Sequence, residues 1–174
     1  MLEPRDLTDL TPDHPLLAEV ARVNRAAVPA VNDLSVDELA HLVGMSRLAR
    51  AIVAVDAPDP TVAALVLALP SGCGYRSENY AWFERAETQP YLYVDRVVVA
   101  DAHRRLGLGA RLYDEVVAAA RASGAAAVCA EVNVRPRNEA SLRFHEARGF
   151  VPVGEQDTGG GEKRVRLLRL GLPG

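Results

Sequence analysis

The sequence predicts an α+β fold, a mixed, mostly antiparallel central sheet flanked by helices. Three observations carry that expectation. Ala51–Val55 and Val62–Ala68 are strand-like apolar runs, and the turn between them, Asp56-Ala57-Pro58-Asp59-Pro60, is too short for a crossover. They should therefore form an antiparallel hairpin. Tyr91–Val99, an amphipathic stretch from Leu108 to Ala122, and Ala126–Val132 read as a strand–helix–strand unit. A right-handed crossover makes its two strands parallel and adjacent. Val151-Pro152-Val153 and Arg164–Leu170 close the chain as a second hairpin across Gly159-Gly160-Gly161.

The other elements follow in order. A short first strand is expected around Asp6–Leu10. Pro12-Asp13 precedes a helix over His14–Ala27, in which Leu16, Leu17, Val20, Ala21 and Val23 supply one apolar stripe, and Pro29 ends it. Ser35 with Glu38 three residues on is a capping-box pattern, starting a helix that runs to about Leu48. Residues 70 to 90 change character: Pro70, Gly72 and Gly74 break regular structure, then Tyr75, Tyr80, Trp82 and Phe83 cluster. That segment is either a loop pinned to the core by aromatics or a substrate-side wall. Leu108, Leu112, Val116 and Ala120 recur every fourth residue, giving the helix after Tyr91–Val99 one buried stripe. Gly124 ends that helix. A last helix spans Asn138–Ala147, with Gly149 as its C-terminal cap. No internal repeat or second domain is evident, so residues 1–174 read as one domain.

Composition narrows the function. Hydrophobic residues make up 49% and charged residues 25% of the 174, ordinary for a soluble globular protein. A net charge of −3 argues against a nucleic-acid binder, which carries a basic excess. Nineteen of the twenty basic residues are arginine, a bias that genome composition explains as well as function does. Cys73 and Cys129 are too few for a disulfide framework and are spaced for no metal site. Small-residue packing accounts for both, and a reduced, cytoplasmic location fits. The first residues, Met1-Leu2-Glu3-Pro4-Arg5-Asp6, hold no apolar signal core, and no run reaches membrane-spanning length.

The chemistry concentrates after Val97-Val98-Val99, at Arg104-Arg105-Leu106-Gly107-Leu108-Gly109-Ala110-Arg111. A strand, a glycine turn and a helix start in that order suit a pyrophosphate. Gly107 and Gly109 let the backbone approach closely, and amide groups of the first helical turn can point at an anion. Arg104 and Arg105 add positive charge beside it. A P-loop would need Gly-Lys-Ser/Thr, whereas Ala110-Arg111 follows here and the only lysine is Lys163. A dinucleotide fingerprint places Gly107 and Gly109 correctly, with Glu131 about 20 residues on. Against it, Leu112 fills the third glycine position, and too little chain follows for a nucleotide half and a catalytic half.

The remaining reading is coenzyme A. Arg104-x-x-Gly107-x-Gly109-Ala110 resembles the Arg/Gln-x-x-Gly-x-Gly/Ala signature of the GCN5-related N-acetyltransferases, the GNAT superfamily. A second block, Asn138-Glu139-Ala140-Ser141-Leu142-Arg143-Phe144-His145-Glu146-Ala147-Arg148-Gly149-Phe150, resembles that family's Asn-x-x-Ala…Tyr-x-x-x-Gly-Phe helix. The pair in this order is more specific than either block alone. The resemblance covers residues 90–170 closely and the first 90 in length and element order. Tyr93–Val99 and Glu131-Val132-Asn133 are similar to an uncharacterised bacterial branch.

The resemblance implies a splayed parallel strand pair forming a cofactor cleft, and acetyl-CoA as cosubstrate with no metal. The pantetheine arm would pair with the edge of Val97, Val98 and Val99. Arg104, Arg105, Leu106, Gly107, Leu108, Gly109 and Ala110 would hold the pyrophosphate. Asn138 and Ser141 would also bind the cofactor, Asn138 alternatively serving as a helix N-cap. An amine would attack the thioester directly, so the protein must supply a base and a proton for the thiolate. Glu131 resembles the strand-end glutamate of acetyltransferases acting on ribosomal-protein N-termini, although two extra residues separate it from the next helix. Asp95 is the competing base. His145 stands where the family usually has a tyrosine acid, and phosphinothricin-type branches also have histidine there; it either protonates the thiolate or packs beside the cofactor while water does so. The acceptor would be a small-molecule or peptide amine, its identity set by Asn24–Leu34 and Tyr75–Phe83. The alternative is a catalytically idle CoA-binding sensor or interaction module. Homodimerisation is an expectation by family analogy alone.

Overall fold

The computed structural model describes residues 1–56 and 61–173. Residues 57–60 of the expected turn Asp56-Ala57-Pro58-Asp59-Pro60 lie outside them. In chain order the elements are β1 Leu2–Asp6, α1 Pro15–Ala26, α2 Val36–Met45, β2 Leu48–Ala54, β3 Thr61–Pro70, α3 Glu78–Ala86 and β4 Tyr91–Val99. Then follow α4 Leu108–Ala122, β5 Ala127–Arg135, α5 Glu139–Ala147, β6 Val151–Thr158 and β7 Lys163–Gly171. The seven strands are ordered β1-β2-β3-β4-β5-β7-β6. Antiparallel pairing joins β1 to β2, β2 to β3, β5 to β7 and β6 to β7, whereas β4 and β5 run parallel. This is the mixed, mostly antiparallel α+β sheet expected from the sequence. The chain forms two compact units, Met1–Leu69 with Asp95–Val116, and Pro70–Val94 with Val117–Gly174.

In the first unit, β3 runs through the core. Val62 to Leu69 are all at most 1% exposed, which explains the unbroken apolar run. Leu17, Val20 and Val23 of α1 and Leu39, Leu42 and Val43 of α2 bury their stripes, as the 3.6-residue period dictates. His14 caps α1 by accepting the Leu16 amide on its ring, and Pro15 occupies the first turn, where no amide donor is needed. The Ser35–Glu38 capping box forms in full. The helix it starts ends at Met45, short of Leu48, because the Arg47 amide already bonds the Ala68 carbonyl and Leu48 opens β2. The first strand also differs from expectation, pairing Leu2↔Ala54 through Asp6↔Arg50. Asp6 accepts from both the amide and the hydroxyl of Thr8, and this local turn ends the strand where the sequence reading begins it.

In the second unit, the segment read as a loop carries helix α3. Its start is a cap: Ser77 accepts the Tyr80 amide. Tyr80 and Phe83, three apart and buried, face Tyr91 and Tyr93 of β4, with ring centroids 5.4 to 6.2 Å apart. The Tyr80 hydroxyl donates to the Pro70 carbonyl and accepts from the Cys73 amide, fixing the Gly72–Gly74 turn. The aromatics thus pin a helix, not a loop. Trp82 lies against β6, where a Cβ on Gly154 would sit 2.7 Å from its ring, so only glycine fits. Strand β5 runs to Arg135, beyond the expected Val132, because its pairing with β7 continues to Arg135↔Arg164. Strand β6 likewise extends to Thr158, paired with Lys163. The Cys129 thiol is buried and burial pushes its pKa up, which leaves it inert.

Candidate active site

The parallel ladder pairs Tyr91↔Ala127 through Val94↔Ala130 and stops there, although β4 continues to Val99 and β5 to Arg135. The predicted site residues fall on these continuations and on the helices after them.

The first unit holds Val97, Val98 and Val99 and the glycine loop. Alternation leaves Val97 and Val99 partly exposed and buries Val98. After β4 a single 3₁₀ turn, Asp101–His103, leads into the loop. Arg105 has φ +64° and Gly107 φ +73°. Such a left-handed conformation costs a non-glycine residue about 1 kcal/mol or more, so the loop stores strain at Arg105. The Gly107 carbonyl accepts the Arg111 amide and so closes the first turn of α4. The amides of Leu108, Gly109 and Ala110 therefore belong to the first turn, where a helix provides no internal acceptor. A Cβ at Gly107 would meet nothing within 4 Å, and the loop from Arg104 to Gly107 is exposed. Unpaired amides behind an open turn are an arrangement that can receive an anion. Arg104 pairs with Asp101 at 2.8 Å on the surface, and both side chains are well solvated. Asp95 is not an open carboxylate: it accepts the Arg96 Nε at 2.7 Å with its side chain 6% exposed.

The second unit holds Glu131, Asn138, Ser141 and His145. Tyr93, fully buried, donates its hydroxyl to Glu131 Oε1 at 2.9 Å. The register pairs Tyr93 with Cys129, so Glu131 stands one pleat further on the same face, beyond the last rung. Nothing in the sequence reading links these two residues, because the pairing register of parallel strands is invisible there. A hydroxyl donor favours the ionised carboxylate and fixes its rotamer. Asn138 caps α5 by accepting the Ser141 amide at 3.1 Å, so the capping role exists in full. His145 is 6% exposed, wedged edge-on between Phe144 and Phe150. Its Nδ1 lies 2.7 Å from the Ser141 carbonyl. A carbonyl can only accept, so Nδ1 carries the proton and the neutral ring keeps its lone pair on Nε2.

Burial lowers the His145 pKa, with the Ser141 hydrogen bond opposing and the Arg148 charge adding to the drop. The folded state thus takes up this proton less readily than the unfolded chain, whose histidine titrates near 6.5. The folded protein should accordingly hold its full stability above that pH and lose it as the pH falls below. Melting at pH 7.5 and pH 5.5 tests this: the native protein should lose more than His145→Gln between the two. Equal losses would remove His145 as the source.

The sequence profile of the acetyltransferase (GNAT) family matches residues 38–150. The chain belongs to that family. Solved structures agree on the fold. Arabidopsis thaliana NAA60 in complex with acetyl-CoA superposes with a TM-score of 0.74 at 16% identity, covering 99% of this chain and 100% of its own. The NatC complex bound to Gag peptide and CoA gives 0.73 at 13%, covering 99% of each chain. A ribosomal-protein alanine N-acetyltransferase from Escherichia coli gives 0.69 at 17%, covering 100% and 97%. No curated protein matches the chain in sequence. Among the described residues, no cluster of three or more His, Cys, Asp or Glu side chains could hold a metal, and no helix is long and apolar enough to cross a membrane.

Proposed function

We propose that residues 1–174 serve as a single N-acetyltransferase domain that moves an acetyl group from acetyl-CoA to a primary amine by direct attack. The observation that carries this reading is the loop from Arg104 to Ala110, strained at Arg105, open at Gly107 and leading into a helix N-terminus. Bound there, acetyl-CoA supplies an activated thioester. Amides of Leu108, Gly109 and Ala110, with Arg104 and Arg105, hold its diphosphate. The backbone of Val97, Val98 and Val99 pairs with its pantetheine arm as an added strand, and an amide near Val99 polarises the thioester carbonyl. Asn138 and Ser141 are assigned to cofactor binding on the family resemblance.

Glu131 takes a proton from the acceptor's ammonium, directly or through one water, and so frees the amine to attack. Tyr93 donates its hydroxyl to Oε1 and so orients the carboxylate. Asp95 is unsuited to that role, because its carboxylate is committed to Arg96. His145, buried and favouring the neutral ring with its proton on Nδ1, packs beside the cofactor, and water protonates the departing thiolate. The acceptor is a small-molecule or peptide amine; a structure of similar fold is bound to a peptide and CoA.

Thiol release from acetyl-CoA with a panel of primary amines tests this. Release that depends on an amine is the expected result. CoA binding without turnover of any amine would make the chain a binding module instead.

A further inference from the structure

Between α1 and the β1–β2 edge of the sheet, the first unit holds a cleft of about 910 Å³ that neither the anion loop nor the acid–base chemistry uses. Drug-sized ligands occupy clefts of about 300–1,000 Å³. Val53 and Val55 form the floor, and Leu10, Pro15, Leu16 and Ala18 the sides. Leu17, Val20 and Val23 of α1 are buried in the core, but Leu16, expected in the same stripe, is half-buried and borders this cleft. Arg50 of β2 reaches Glu115 of α4 at 2.9 Å, so α4 covers that face of the sheet. Val53, three residues on in the same strand, points to the opposite face. The cleft is therefore separate from the N-terminal turn of α4 and the glycine loop before it.

The charges around the cleft are already matched. Arg22 donates twice to Glu19, at 2.6 and 2.7 Å, Arg5 donates to Glu3 at 2.9 Å, and Asp6 pairs with Arg50 at 3.3 Å. Among the described lining residues, no guanidinium or carboxylate is left without a counter-charge. The start of α1 is equally committed. Pro15 has no amide, the Leu16 amide bonds His14 Nδ1 at 3.1 Å, and the Leu17 amide bonds the His14 carbonyl. Because an amide only donates, His14 accepts on Nδ1, and its neutral ring carries the hydrogen on Nε2. That ring lines the cleft too, adding an uncharged donor beside the apolar floor. We infer that this cleft is a second ligand site, for an uncharged, mainly apolar small molecule whose polar end accepts a hydrogen bond. An ion would have to break one of the matched pairs or sit desolvated without a partner, and both are costly.

The test needs no acetyl transfer. The full chain is titrated with N-phenyl-1-naphthylamine, an uncharged dye that brightens in apolar surroundings, with and without saturating CoA. The dye is then displaced with 1-octanol, octanoate or octylammonium, one carbon chain in three charge states. Saturable dye binding is expected, changed by CoA no more than about twofold, with 1-octanol displacing the dye at about tenfold lower concentration than either ion. Amide resonances of Leu16, Ala18, Val53 and Val55 should move with 1-octanol, and those of Gly107 and Gly109 should stay. Ala18→Trp fills the cleft from an exposed position and should weaken the dye about tenfold, whereas Ala26→Trp, equally exposed on α1 but outside the cleft, should not. His14→Asp keeps a helix cap and adds a charge, so it should shift the preference about fivefold toward octylammonium. Absence of saturable dye binding, equal displacement by the three compounds, native dye affinity in Ala18→Trp, or resonances moving elsewhere would each overturn the site. So would a dimer that binds dye only on dilution, because a second copy would then fill the cleft.

Discussion

Gly107→Val should abolish measurable CoA binding, raising Kd by about 100-fold or more, while the fold survives. The argument has two separate parts. Conformation comes first: Gly107 sits at φ +73°, where a side chain costs about 1–2 kcal/mol and a β-branched one more. Space comes second. A Cβ there meets no protein atom within 4 Å, so the valine collides with nothing in the folded chain. The strain alone should lower Tm by about 2–8 °C in a domain of this size. The valine instead projects into the open space through which the diphosphate would approach the Leu108, Gly109 and Ala110 amides. Gly107→Asn separates the two effects, since asparagine tolerates the left-handed region. It should keep most of the stability and still weaken CoA. Calorimetric titration with CoA and a melt of each variant are the measurements. Native affinity in Gly107→Val would remove the loop from the cofactor site.

How much of this could be read beforehand depends on whether the signal was local. The glycine turn, the capping box at Ser35 and the helix from Leu108 to Ala122 are written in neighbouring residues, and the structure reproduces them with the same bounds or nearly so. Strand Tyr91–Val99 was equally legible, because its flanks, Pro90 and Asp101, mark its ends. Helix α3 was not. Its residues Glu78–Ala86 carry aromatics at helical spacing, but the glycines just before them dominate a local reading, and the Ser77 cap is a single hydroxyl. Packing of Tyr80 and Phe83 on β4 settles the helix, a tertiary effect that a short isolated segment cannot reveal. The site divides the same way. Loop and helix-cap residues were visible, whereas the Tyr93–Glu131 bond depends on strand register, and outside the site Arg96 bonds residues 72 and 64 positions away. Asp95 shows the cost of reading one strand alone. Alternation places it on the face of Tyr93, yet the adjacent arginine captures its carboxylate.

Glu131→Gln should lower kcat by about 100-fold or more and leave KM for acetyl-CoA within twofold, the scale at which a positioned general base contributes. Glutamine matches the shape and can still accept the Tyr93 hydroxyl, so the variant tests proton uptake and little else. The companion variant, Tyr93→Phe, gives the sharper result. Removing a donor from the carboxylate raises its affinity for a proton, so the acid limb of the kcat/KM profile should move to higher pH, by up to about one unit. A purely structural tyrosine would lower activity evenly across the profile without moving that limb. Asp95→Asn provides the contrast. Asp95 neutralises a guanidinium that is almost wholly buried, and removing one partner of such a pair costs about 3–5 kcal/mol. Its loss should therefore appear in the melting curve, and the acid limb of whatever activity survives should stay in place. A shifted limb in Asp95→Asn with an unmoved one in Tyr93→Phe would transfer the role of base from Glu131 to Asp95.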